Sequence, residues 1–112
     1  MRGPKTDPEA PHNRAIRGWG DEVVAAGGKV IAGGGREKEQ LVNTEGGHKN
    51  GRRPDIIFQP EGGEVQYGNV GRTTASGAPV PREQKALEDL RGTGVPTDFR
   101  AYDQPKPSDA KE

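Results

Sequence analysis

The sequence predicts an α/β fold, a small mixed β-sheet flanked by helices. Two segments space their apolar residues as helices do, one early and one late in the chain. Between and after them lie short β-prone runs punctuated by glycine and proline. The resulting order is helix, three strands, helix, strand. Size limits this to one domain, because the chain has 112 residues. Its 18 glycines and 10 prolines make up a quarter of it, while Leu, Ile, Val and Phe together number only 17. The core is therefore thin, near the compositional border of disorder. The charge half of that signature is missing, since 17 Lys and Arg balance 17 Asp and Glu. A large core, a coiled coil and a collagen-like repeat are excluded. No apolar run approaches the ~20 residues of a membrane helix, and the first residues do not resemble a signal peptide. Without cysteine there are no disulfides or thiolate metal sites. Only the core, a bound ion or a partner can stabilise so small a domain.

Residues 1–11 carry Pro4, Pro8 and Pro11 and read as a linker; 12–102 is the foldable part, and the polar stretch 103–112 reads as a tail. The first helix is expected from Asn13, a possible cap, to Ala26. Ile16, Trp19, Val23 and Ala26 form one face, and Gly27 and Gly28 end it. Lys29 to Ala32 is a short strand closed by Gly33, Gly34 and Gly35. No Gly-Lys-Ser/Thr follows these glycines, so they read as a turn and not as a phosphate loop. Glu39 to Asn43 is a candidate short strand. Pro54 to Phe58 is a strand stopped by Pro60, Glu61 to Gly63 a turn, and Gly63 to Tyr67 the returning strand of a β-hairpin. Residues 68–80 read as loop. Pro81 opens a second helix, Arg82 to Arg91, with Ala86, Leu87 and Leu90 inward and Gly92 as its stop. Asp98 to Tyr102 is the last strand.

The hairpin holds the candidate chemistry. Asp55 starts one strand, and Glu64 and Gln66 share a face of the next. Pairing across a hairpin can bring Asp55 and Glu64 within a few ångströms. Two hard oxygen donors so placed suit Mg²⁺, which takes one or two carboxylates and keeps several waters. Such an ion neutralises charge on a phosphate under in-line attack.

Pro54-Asp55, followed by Glu64-Val65-Gln66, resembles the PD-(D/E)xK nuclease motif, whose family has an αβββαβ core. The resemblance implies that Asp55, Glu64 and the Val65 carbonyl bind Mg²⁺ or Mn²⁺. Gln66 stands where the family usually has lysine, and would orient the attacking water. Glu22 is the candidate for the acidic residue that members often add from the first helix. A wider likeness runs through Gly51-Arg52-Arg53-Pro54-Asp55, Glu64-Val65-Gln66, and Gly77 to Arg91. These segments look like the C-terminal toxin domains of bacterial polymorphic toxins, such as contact-dependent inhibition, Rhs and type VI effectors. That likeness implies a secreted endonuclease domain acting in the cytoplasm of a competing bacterium, on DNA ahead of RNA, and neutralised by a cognate immunity protein.

Lys49, Arg52, Arg53, Arg82 and Lys85 are the candidate nucleic-acid contacts, because Lys and Arg supply the sequence-independent part of such binding. His48 is a candidate general acid or phosphate contact, or a solvated loop histidine. RNA as substrate, and a non-enzymatic binding module with a merely acidic hairpin, are the competing expectations.

Overall fold

The first helix starts two residues before Asn13. In the computed structural model, which describes residues 10–102, α1 runs Pro11–Ala25 with proline at its start and no side-chain cap. Proline suits this position because the first-turn N–H groups have no intrahelical acceptor. Asn13 thus lies inside the helix. Gly27 ends it at φ 91°, a conformation open to glycine, and donates its N–H to the Val24 carbonyl. Residues 1–9 of the expected linker and the expected tail, 103–112, lie outside the described residues.

Six strands and a second helix follow: β1 (Lys29–Gly33), β2 (Val42–Asn43), β3 (Gly51–Arg52), β4 (Ile56–Gln59), β5 (Gln66–Gly71), α2 (Pro81–Arg91) and β6 (Thr97–Ala101). Four of the strands form a mixed sheet in the order β1-β4-β5-β6. β1 and β5 are antiparallel to β4, and β6 is parallel to β5. A parallel pair needs a long crossover, which α2 provides. β2 and β3 pair as a separate ribbon between β1 and β4. Only the last two residues of the expected Glu39–Asn43 strand are extended, and Leu41 stays exposed.

Strand residues alternate between the two faces, and each face takes one helix. Ile56, Phe58 and Val70 pack with Ile16, Trp19 and Val23 of α1. On the other face Ile57 and Ala32 pack with Val42 of β2 and Leu90 of α2. The α/β class, the mixed sheet and its two flanking helices match the expectation.

β5 is where the expectation and the structure part. The strand begins at Gln66 and continues through Gly68, Asn69, Val70 and Gly71, residues whose composition reads as loop. Gly68 lies beneath Trp19: a Cβ there would sit 2.5 Å from the indole Cη2. The missing side chain is what lets α1 press onto the sheet. Gly71 does the same for α2, where a Cβ would sit 2.5 Å from Cδ of Glu83.

Candidate functional site

The β4–β5 register decides what faces Asp55. Ile56 pairs with Gly68 and Phe58 with Gln66, so one step further sets Asp55 beside Asn69. Its N–H donates to Asn69 Oδ1 (3.2 Å), and its carbonyl accepts from Gly34 N–H (2.9 Å). The side chain is fixed as well, because Val70 N–H donates to Oδ2 at 2.7 Å. That side chain keeps 17% of its surface exposed, so a ligand can reach a carboxylate whose direction is already set.

Two further groups converge here from the starts of the two helices. His12, in the first turn of α1, places Nε2 2.9 Å from the Val70 carbonyl and 3.6 Å from Asp55 Oδ2. Its ring meets Tyr102 edge-on at 5.4 Å between centroids. The Asp55 carboxylate, first by its contact with the ring and then by its charge, holds the imidazole above its ordinary value; partial burial opposes this, and the Val70 carbonyl and Asn13 add to it. Glu83, in the first turn of α2, lies over Gly71. Burial and the nearby Asp55 charge push its carboxyl upward, against Arg82, His12 and Arg52. Glu83 is not needed to cap its helix, since the Val80 N–H already bonds the Arg72 carbonyl (3.1 Å).

The His12 pairing has a pH signature. A pKa raised on folding contributes stability fully below the unfolded value of 6.5, and that contribution is lost as pH rises through the higher folded value. Urea unfolding measured at about pH 6 and about pH 9 brackets the range. Stability falls more over this range in the wild type than in His12→Gln; equal falls would refute the pairing.

The expected partners of Asp55 lie elsewhere. Continued along the register, Glu64 falls opposite Pro60, at the turn end of the hairpin. That is five strand residues, roughly 16 Å, from Asp55. Glu64 and Val65 are both exposed there, so neither the Glu64 carboxylate nor the Val65 carbonyl joins Asp55. Gln66 and Glu22 line a separate cleft at that same end, where Glu22 pairs with Arg100 at 3.0 Å. The residues that do accompany Asp55 are His12, Asn69 and Glu83, none of which the motif spacing selects.

The basic candidates divide. Arg53, Arg82 and Lys85 are exposed, and Arg53 and Arg82 stand within two residues of Asp55 and Glu83. Arg52 is committed inside the protein, with Nε 2.8 Å from Asp89 Oδ2 and both side chains largely buried. Asp89 also accepts from the amides of His48 (2.8 Å) and Lys49 (3.1 Å). One carboxylate therefore fastens the β2–β3 ribbon to α2. Burial pulls the Asp89 carboxyl upward, but the His48 amide, the Arg52 guanidinium and the Lys49 amide together hold it below the usual carboxylate range. His48 itself pairs with Glu88 at 2.8 Å, away from Asp55. Among the described residues, no helix is long and apolar enough to cross a membrane.

No protein-family profile, curated protein or solved structure matches this chain.

Proposed function

We propose that this domain is a metal-dependent endonuclease of the bacterial toxin type, cleaving DNA at a site centred on Asp55. The observation that carries this reading is the placing of two carboxylates at one end of the sheet, Asp55 fixed by the Val70 N–H and Glu83 packed over the neighbouring Gly71, where the Asp55 charge disfavours ionisation of Glu83. A divalent cation relieves that repulsion, and the donor set fits Mg²⁺ or Mn²⁺, since hard oxygen donors suit them and one or two carboxylates suffice. Asp55 and Glu83, not Glu64, would hold the ion. When bound, it supplies the charge neutralisation and the water acidification that phosphodiester hydrolysis needs.

The chain's own groups do the rest. The Val70 N–H fixes the direction of the Asp55 carboxylate. His12 lies beside it, with Nε2 3.6 Å from Oδ2. Arg53 and Arg82, exposed at the rim, hold backbone phosphates and set the strand's register without reading its sequence. Gln66 is too far away to orient water at this site. Delivery into a competing bacterium and a cognate immunity protein belong to the same reading, and rest on the resemblance of 51–55 and 77–91 to toxin domains.

Incubation of supercoiled plasmid and of total tRNA with the purified domain tests this. Nicking of plasmid that needs Mg²⁺ and stops with EDTA is the expected result. Cleavage of tRNA alone would move the substrate to RNA. No EDTA-sensitive cleavage of either would leave a binding module and overturn the enzyme reading.

A further inference from the structure

The α1 face of the sheet holds a second concavity, lined by none of the residues that accompany Asp55. Trp19 and Phe58 floor a cleft of about 430 Å³, and Glu22, Glu61 and Asp98 set three carboxylates around it against a single cation, Arg100. Arg100 already shows what this surface accommodates. Its guanidinium lies 4.3 Å above the Trp19 ring and its NH1 is 3.0 Å from Glu22. Aromatic face and carboxylate together make the pairing that a planar guanidinium favours. Glu61 and Asp98 leave the rim with an excess of negative charge that Arg100 does not balance.

The cleft also borders the outermost strand. β6 ends the order β1-β4-β5-β6, and among the described residues no strand pairs with its outer edge. Asp98 and Arg100 lie two apart on β6 and share the face that α1 covers. An extended segment added along this edge would project every second side chain over the same face. Its main chain would pair with β6 while its side chains reached the acids.

We infer that this edge and cleft form a docking surface for an extended, arginine-bearing segment of a partner protein, whose guanidinium groups pair with Glu61 and Asp98 beside the Arg100–Trp19 stack. Charge complementarity selects the partner's basic character, and the strand edge selects its extended shape. Within this surface Glu61 lies at the turn end of the β4–β5 hairpin, while Asp98 and Arg100 pair with Gly68 and Val70, so that β5 stands between them and Asp55.

The test uses a blocked peptide in which three arginines alternate with alanines, titrated calorimetrically at low salt. Trp19 emission gives a local readout, because it is the only tryptophan. The peptide binds and shifts that emission. Neutralising the two acids together (Glu61→Gln, Asp98→Asn) weakens binding by about tenfold, the sum expected of two exposed ion pairs. The remote pair Glu37→Gln with Glu45→Gln leaves affinity unchanged, and so does Asp55→Ala, which separates this result from the fate of the nuclease reading. Spermine, cationic but without a guanidinium plane or a strand backbone, binds more weakly. Absence of peptide binding, an equal loss in the remote pair, or spermine binding as tight as the peptide would each overturn the inference.

Discussion

If the domain is the nuclease proposed above, Asp55→Ala abolishes Mg²⁺-dependent plasmid cleavage, with a loss on the order of a hundredfold or more. The scale follows from the several kcal/mol that a catalytic metal supplies, at about 1.4 kcal/mol per decade of rate. Glu83→Gln, nearly isosteric and unable to carry charge, costs at least about tenfold by the same arithmetic. Glu64→Gln leaves activity intact, because Glu64 lies at the turn end of the hairpin. These three variants separate two geometries that the motif alone leaves equivalent. If Glu64→Gln were silent and Glu83→Gln crippling, the metal would belong between the sheet end and α2. The reverse order would restore the Asp55–Glu64 pairing and contradict the β4–β5 register. Calorimetric titration with Mn²⁺ gives a readout besides activity: affinity drops with Asp55→Ala and Glu83→Gln, and holds with Glu64→Gln. Circular dichroism checks that the four proteins fold equally.

The largest stability effect is expected at Asp89, whose side chain is only 1% exposed. Asp89→Ala strands the Arg52 guanidinium and the amides of His48 and Lys49, and breaking a buried pair from one side costs about 3–5 kcal/mol. In a domain of this size that lowers the melting temperature by on the order of 15 °C. The pH dependence has a definite sign. A carboxyl depressed on folding stabilises fully above its unfolded value of 3.8, and the benefit disappears as pH falls through the lower folded value. Acid unfolding is therefore steeper in the wild type than in Asp89→Asn, which keeps one acceptor oxygen and cannot titrate. Urea midpoints measured from neutral to acid pH check both statements. A wild type and an Asp89→Asn variant with parallel acid profiles would remove Asp89 from the account.

Much of this architecture was legible from local signals. Pro81, Gly27 and Gly92 bound the helices, and the spacing of Ile16, Trp19 and Val23 identifies the buried face of α1. Asp55 stood out at the head of a strand behind a buried proline. Its partners did not, because register is counted from the turn and not along the motif. Facing Asp55 with Glu64 requires a turn centred between Gln59 and Pro60, which would take Phe58 out of the core. The actual turn lies later, so the residue across from Asp55 is Asn69, inside a stretch whose glycines imitate a loop. Those glycines serve close packing against Trp19 and Glu83, a tertiary reason that no local rule carries. Glu83 was hidden by its position, since an acid in a first helical turn ordinarily answers the helix dipole. His12 was hidden because α1 begins before its expected cap.

The surroundings of Asp55 draw on both extremes of the described chain, with a consequence for timing. His12 comes from the first helical turn, and the Tyr102 ring it meets follows the last strand. β5 likewise has its final neighbour only when β6 is present. Synthesis delivers residues one at a time, at about 5–20 per second. A nascent chain lacking its last strand holds Asp55 beside an unfinished sheet, without the ring that packs on His12. Any activity of this site therefore waits until Tyr102 has been synthesised and β6 has paired with β5.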